Sequence, residues 1–300
     1  MPETNPYFTI IIPTYNRANL IDRTLRTILS QTFLNFEVIV VDDGGADDTE
    51  GVVKNLDSEK IIYFRKKNGE RGAARNFGWE KAKGNYVTFL DSDDILYPNH
   101  FEEAYKFLIQ NRNCTCYAQA YEIKNALTES VLIKAYQAKK PTINNDIIKG
   151  NFLSCFGVFI KKDIIHNIKF EEDRRFAGTE DWLLWLQIAA LYPMYYNNVV
   201  TGAMLEHPNR SVLSFNEQSL FYRSVFLKQK LEKDTAFIKT YGYKTINRIY
   251  AHMLSYTSLH LAISNKKSKA LNYWIKALKY NITELMTRRS LAIMKKILFS

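Results

Sequence analysis

From Tyr7 to about residue 112 the chain alternates between two periods. Short apolar runs rich in β-branched residues, FTIIIP, FEVIVV, IIYF and YVTFL, have the length and composition of buried strands. Between them apolar residues fall at helical spacing: Ile21, Leu25, Ile28 and Leu29 share a face after Asn19, and a further helix is predicted over about 71–82. This alternation marks βα units around a mostly parallel sheet, an α/β fold. Each run stops in a polar cluster, namely PTYNR, DDGG, KKNG and DSDD. In an open parallel sheet ligands bind outside the carboxyl ends of the strands, so these clusters are expected to converge on one site.

Beyond about residue 113 the pattern becomes mixed. CTCYAQAYEI, SVLIKAY and CFGVFI read as strands, PTINN as a polar turn, and a helix begins near Thr179. From about residue 215 the chain reads as helices to its end, at FNEQSLFYRSVFLKQKLEKD, TINRIYAHMLSYTSLHLAI, KSKALNYWIKALKY and ITELMTRRSLAIMKKILF. No Pro/Gly/Ser-rich linker separates the two halves before residue 214. The expected organisation is therefore one domain over 1–214, with halves at about 7–112 and 113–214, and a helical extension over 215–300.

Size and composition narrow the class without naming it. Three hundred residues, 46% of them hydrophobic, are ample for a core and exclude a wholly disordered chain. MPETNPYFTI lacks the basic and apolar blocks of a secretory signal, and no apolar run reaches the roughly 20 residues that span a bilayer. A cytoplasmic location is the resulting expectation. Cys114, Cys116 and Cys155 are too few and too oddly spaced for a disulfide framework or a zinc site and are expected as buried thiols.

The formal charge of +10 is placed unevenly. Lys266, Lys267, Lys269, Lys276, Lys279, Arg288, Arg289, Lys295 and Lys296 are opposed after residue 265 only by Glu284. Such a tail is a solvated helix face or a patch for anionic lipid, reached through Trp274, Ile275, Leu278, Leu298 and Phe299 beside the lysines. The second reading gives peripheral contact with an anionic membrane, at the inner face of the cytoplasmic membrane. Nucleic acid is disfavoured, because the aromatic residues are spread through apolar segments and the basic ones avoid DSDD.

The carboxylates carry the chemistry. Asp91, Asp93 and Asp94 follow YVTFL within four residues, and carboxylates so crowded call for a cation. Hard oxygen ligands in an extended turn suit Mn2+ or Mg2+, with phosphate oxygens and water completing the shell. The competing structural role for Asp93 or Asp94 is to cap the helix after Pro98. Asp42 and Asp43 end the second strand, where acidic side chains hold ribose hydroxyls or base edges, or form a turn with Gly44 and Gly45. No G-x-G-x-x-G follows the first strand; PTYNR supplies amides, a hydroxyl and a ring instead. Thr179-Glu180-Asp181 makes a good helix start, and Trp182 and Trp185 read as core.

FTIIIPTYNR, ILSQTF, FEVIVVDDGGADDT, GAARNFGWEKAKGNYVTFLDSDD and GTEDWLLWL, in this order, resemble the family 2 inverting glycosyltransferases over roughly residues 7–210. The resemblance implies a GT-A fold, the Rossmann-like nucleotide-diphospho-sugar transferase fold, with a mixed central sheet and here an appended C-terminal helical region. Residues 7–112 would then be the nucleotide-binding half and 113–214 the acceptor-binding half. It implies a nucleotide-sugar donor, by preference a UDP-sugar, whose hexosyl or N-acetylhexosaminyl group passes to a saccharide or lipid-linked acceptor of a cell-surface polysaccharide or glycolipid. Pro13, Thr14, Tyr15 and Arg17 would line the nucleotide, Asp43 or Asp42 would recognise the base or ribose, and Arg75 would lie beside the diphosphate. In DSDD, Asp93 would bind the metal, Asp91 would reach ribose or metal-bound water, and Ser92 would belong to the donor site. His207 in LEHPNRS would approach the metal or diphosphate, with Arg210 a further phosphate candidate. Asp181 would be the catalytic base, with Glu180 next to it. Gly44-Gly45-Ala46 departs from the family's more usual Gly-Ser followed by Thr or Ser, removing one hydroxyl contact from that loop. The rival classes are a nucleotidyltransferase, which would release pyrophosphate, and a non-catalytic nucleotide- or nucleic-acid-binding protein.

Overall fold

A computed structural model describes residues 5–207 and 217–299. Arg210 and the side chain of Phe299 lie outside the described residues. The chain forms two compact units. The first is drawn from residues 5–143, Phe152–Asp173 and 192–207; the second from Asn144–Asn151, Arg174–Leu191 and 217–299.

The first unit begins with β1 (Phe8–Thr14), α1 (Ala18–Leu29), β2 (Phe36–Asp42), α2 (Thr49–Lys54), β3 (Ile61–Arg65), α3 (Glu70–Lys81) and β4 (Tyr86–Phe89). β1, β2 and β4 are buried at every residue, which is why their sequences are nearly unbroken apolar runs. β1 lies between β2 and β4, all parallel, with β3 outside β2. Thr14 pairs with Asp42 and Asp42 with Arg65, so the polar clusters after β1, β2 and β3 emerge level with one another. α1 covers this sheet through Ile21, Thr24, Leu25 and Ile28, close to the predicted face. Two glycines let α3 press against its neighbours. A Cβ on Gly78 would stand 2.5 Å from Ile11 Cγ2, and one on Gly72 would stand 2.2 Å from the Glu171 carbonyl oxygen.

The same unit continues with β5 (Ile95–Leu96), α4 (His100–Gln110), β6 (Cys116–Asn125), β7 (Val131–Ile133), β8 (Val158–Lys161) and β9 (Met194–Glu206). The strand order is β3-β2-β1-β4-β8-β6-β9-β5, with β7 pairing beside β6. β8 runs antiparallel to both β4 and β6, so the sheet is parallel on one side and mixed on the other, as expected. β9 was not evident in the sequence, and SVLIKAY shrinks to the three exposed residues of β7. The core gathers aromatic rings at the sheet's centre, where Phe8 stacks on Phe101 at 5.3 Å and meets Phe159 edge-on at 5.1 Å. The three cysteines are buried free thiols, and burial pushes Cys114 up to about 11, away from the reactive thiolate.

The second unit is helical: α5 (Asn144–Ile147), which starts inside the PTINN stretch expected as a turn and runs two residues past it, α6 (Glu180–Leu191), α7 (Glu217–Leu231), α8 (Thr235–Ile263), α9 (Lys267–Tyr280) and α10 (Arg288–Phe299). α8 is interrupted at Gly242, whose φ of +73° only glycine adopts without strain. The single helix expected over 282–299 is two pieces, a 3-10 turn at Ile282–Met286 and then α10. Thr287 is extended, and its hydroxyl accepts the Ser290 N–H at 3.2 Å, the geometry of a new helix start. Among the described residues no helix is long and apolar enough to cross a membrane.

Candidate active site

The clusters after β1, β2 and β3 are tied into one hydrogen-bonded rim. Asp43 N–H donates to the Thr14 carbonyl at 2.9 Å, and Asn68 Nδ2 donates to the Asp43 carbonyl at 3.0 Å. Asn16, held at a φ of +54°, accepts the Ala46 N–H at 2.7 Å. Pro13 and Thr14 are buried at the rim and the Tyr15 ring is 51% exposed, while Arg17 is half-buried at the entry to α1. Thr14 Oγ1 is buried with no hydrogen-bond partner among the described residues, a polar atom of the kind a bound ligand satisfies.

The two aspartates of DDGG divide their work. Asp42 accepts the Gly45 N–H at 2.8 Å on Oδ1 and the Tyr63 hydroxyl at 2.7 Å on Oδ2, so both oxygens brace the loop. Burial and this bond push the Tyr63 phenol upward, keeping it a donor. Asp43 accepts Lys66 Nζ at 2.8 Å and the Gly69 N–H at 3.0 Å on Oδ1. Among the described residues its Oδ2 takes only the second leg of the Gly69 contact, at 3.1 Å. Lys66 and Asn16 were not singled out in the sequence, although both stand inside polar clusters at strand ends.

The DSDD turn is held from two sides. Leu90 N–H continues the β4 ladder to the Ile11 carbonyl at 2.9 Å, and Asp94 N–H closes the turn on the Asp91 carbonyl at 3.2 Å. Thr24, on α1, donates towards the carbonyls of Ser92 and Asp94 at 3.0 and 2.8 Å. Ser92 is buried beneath the turn. Asp91 Oδ1 accepts Arg75 Nη2 at 2.7 Å; the guanidinium is 1% exposed and the carboxylate 31%, so Asp91 remains partly open to solvent. Asp93 Oδ2 stands 3.2 Å from His207 Nε2. Asp94 is buried and accepts the Leu205 N–H at 3.1 Å. Neither Asp93 nor Asp94 caps the following helix, which begins at His100 after Asn99 with no side-chain cap.

Among the described residues no three His, Cys, Asp or Glu side chains gather as a ready-made metal cage. Mg2+-type sites on phosphate substrates do not need one, because one or two carboxylates anchor the ion while phosphate oxygens and water supply the rest. The Asp93–His207 pair, with Asp91 two residues earlier on the same turn, has the donor chemistry for that kind of ion, Mn2+ included.

Thr24→Val keeps the shape of that side chain and removes the hydroxyl under the turn. It is expected to lower stability by about 1–2 kcal/mol, since two buried carbonyls lose their donor. Denaturant unfolding of the two proteins measures this, and equal midpoints would show that the turn does not depend on Thr24.

In the second unit, Glu180 and Asp181 occupy the first turn of α6, where negative charge complements the helix dipole. Glu180 is buried, with Oε2 accepting the Gly178 N–H at 2.6 Å. Asp181 is only half-buried and accepts Asn151 Nδ2 at 2.9 Å on Oδ2 and the Trp182 N–H at 2.7 Å on Oδ1. Asn151 gave no sequence signal, since a lone Asn after a glycine reads as a turn residue. Trp182 and Trp185 are core, and Trp182 Nε1 is spent on the Ile147 carbonyl at 2.9 Å.

The profile described as glycosyl transferase family 2 matches residues 9–168, which contain Asp42, Asp43, Asp91, Asp93 and Asp94 but end before Asp181. The chain is 31% identical to GalNAc(5)-diNAcBac-PP-undecaprenol beta-1,3-glucosyltransferase of Campylobacter jejuni, over 84% of this chain and 82% of that enzyme. It is 30% identical to a Rickettsia bellii protein named as a glycosyltransferase, over 89% of this chain but 40% of the longer relative. In structure it resembles S. aureus TarS 1–349 crystallised with UDP, with a TM-score of 0.65 and 18% identity over 97% of this chain and 88% of that one, a likeness of fold. With more than half its length inside the profile and the Campylobacter enzyme spanned over most of its length, the chain belongs to glycosyl transferase family 2 and is a glycosyltransferase with the GT-A fold.

Proposed function

We propose that this chain moves a hexosyl or N-acetylhexosaminyl group, with inversion, from a UDP-sugar to a saccharide carried on a lipid diphosphate. The observation that carries the donor half is the DSDD turn, where a buried Arg75 steadies Asp91 and His207 approaches Asp93. Asp93, with His207 and Asp91, would hold Mn2+ or Mg2+, whose chemistry is to neutralise charge on the departing diphosphate. Asp43, whose Oδ2 is the less engaged of its oxygens, would receive an N–H of the base or a ribose hydroxyl; Asp42 would brace the loop. Pro13, Thr14, Tyr15 and Arg17 would surround the nucleotide, with Ser92 shaping the turn. Asp181 would take the proton from the acceptor hydroxyl as its oxygen attacks the anomeric carbon. It is preferred over Glu180 because it is the more accessible of the two. The lipid-linked acceptor is drawn from the Campylobacter relative, which is named for an undecaprenol-diphosphate saccharide.

A thermal-shift screen of nucleotide-sugars with and without Mn2+ tests the donor half. The matching UDP-sugar with metal is expected to stabilise the native state by about 2–3 kcal/mol at 100 times its Kd. EDTA should remove most of that stabilisation and added Mn2+ restore it. Stabilisation untouched by EDTA would refute the metal role. Release of pyrophosphate instead of nucleoside diphosphate would identify a nucleotidyltransferase.

A further inference from the structure

The last 35 residues carry a surface that the transfer reaction does not use. Leu271, Ile275 and Leu278 recur on α9 at i, i+4 and i+7 and therefore share one face, the first two exposed and Leu278 half-buried. Lys267 stands four residues before Leu271, and Lys279 four after Ile275, in the same rows. α10 repeats the arrangement: Leu291 and Leu298 are seven residues apart, with Lys295 between them at i+4. The turn joining the two helices leaves Ile282 67% and Met286 88% exposed. Single exposed aliphatic residues are ordinary, but a run of them along two consecutive helices and their junction is not.

Charge makes the surface specific. Lys276, Lys279, Arg288, Lys295 and Lys296 are all exposed. Glu284, the one carboxylate after residue 265, is buried and accepts the Ser255 hydroxyl at 2.9 Å. Arg289 is turned inward, donating to the His252 carbonyl at 2.9 Å and to Ser255 Oγ at 3.0 Å. The tail's only acidic side chain is therefore inside; Lys269 is paired with Glu217 of α7 at 2.7 Å, and the other exposed charged side chains of α9 and α10 are cationic. Trp274, expected from the sequence as an anchor, is half-buried and donates its indole N–H to Ser290 Oγ at 2.8 Å.

We propose that α9, the Ile282–Met286 turn and α10 form a docking surface for an anionic lipid bilayer, with the leucines, isoleucines and Met286 entering the acyl boundary and the lysines meeting the headgroups. The choice of lipid rests on the lipid-linked acceptor proposed above, and on the chemistry of the surface itself. Aliphatic side chains set between lysines match interfacial amphipathic segments. Nucleic acid would be served by stacking rings; the rows of Leu271 and Leu291 carry none, and the exposed Tyr280 ring is engaged edge-on by Tyr250 at 4.7 Å. The buried centre of a protein interface is depleted in lysine, whereas lysine lies within these rows.

Flotation of the full chain with vesicles of 30% phosphatidylglycerol in phosphatidylcholine is the test, with pure phosphatidylcholine as the comparison. At low salt the anionic vesicles should be bound at least about 10-fold more tightly, and raising the salt should erode the preference. Lys276→Glu, Lys279→Glu and Lys295→Glu together should weaken binding by about 100-fold or more. Met286→Asp with Leu298→Asp should weaken it about 10-fold even where the charges are intact. All five positions are exposed, so unchanged thermal midpoints should show that folding survives. Equal binding to both vesicle types, no binding at all, or variants that bind like the parent would overturn the docking surface. So would a dimer or an oligonucleotide complex that the same substitutions disrupt while vesicles remain unbound. Stabilisation by UDP-sugar with Mn2+ is read on the same proteins without vesicles, so a failed docking surface and a failed donor assignment give separate results.

Discussion

Asp181→Asn is expected to lower sugar transfer about 10²–10⁴-fold, the usual worth of a general base, while leaving the donor's Kd within about twofold. The substitution preserves size: the amide oxygen can keep the Trp182 N–H, and the Asn151 amide can turn over to accept from the new NH2 group, so α6 keeps its start. What it removes is the capacity to carry a proton away. A merely structural Asp181 behaves differently: losing a charge from the first turn costs about 0.3–1 kcal/mol of stability and leaves the rate alone. Rates at saturating donor, read beside an unfolding curve, separate the two roles. Full transfer activity in the variant would remove Asp181 from the chemistry and return Glu180 to consideration.

Asp93→Asn should remove metal-dependent donor binding, by about 100-fold or more in affinity, because a hard divalent ion loses one of its few charged protein ligands. The EDTA-sensitive stabilisation should vanish, and the variant with donor and Mn2+ should melt with the parent in EDTA. Asp94→Asn is the informative neighbour. Its Oδ1 is occupied by the Leu205 N–H, a bond that the amide oxygen of the variant can keep, so the variant should stay within about 1 kcal/mol of the parent in stability with metal affinity preserved. If Asp94→Asn abolished metal-dependent binding and Asp93→Asn did not, the assignments within DSDD would have to be exchanged.

How much of this was legible depends on how local each determinant is. β1, β2 and β4 are buried on both faces and could be read directly as apolar runs, and the polar residues at their ends were readable as a rim. β9 was hidden because Asn197 and Asn198 interrupt its alternation and its pairing with β6 shifts register near Gln119 and Ala120. The break at Thr287 was hidden because TELMTRRSL carries neither Gly nor Pro to announce it. Sequence reasoning also put Asp43 ahead of Asp42 only through the family resemblance, with no local pattern to separate them. What separates them is Tyr63 on one and Lys66 with Gly69 on the other, partners supplied by the neighbouring strand and the loop after it. Asp94 is separated from Asp93 by a backbone N–H 111 residues away, which no local pattern contains.

The far end of β9 does two jobs within three residues. Leu205 fastens to Asp94, and His207 reaches Asp93. Side chains alternate along a strand, so a slip of one residue there would carry the imidazole to the opposite face and leave Asp94 facing the wrong amide. The segment from Ala203 to His207 is therefore where loss or gain of a single codon should be least tolerated in this chain. The tip of the turn between β6 and β7, at residues 127–130, is exposed and can lengthen more freely, since the tie to this segment is made one residue earlier, where the Ala126 N–H donates to the Glu206 carbonyl at 3.0 Å.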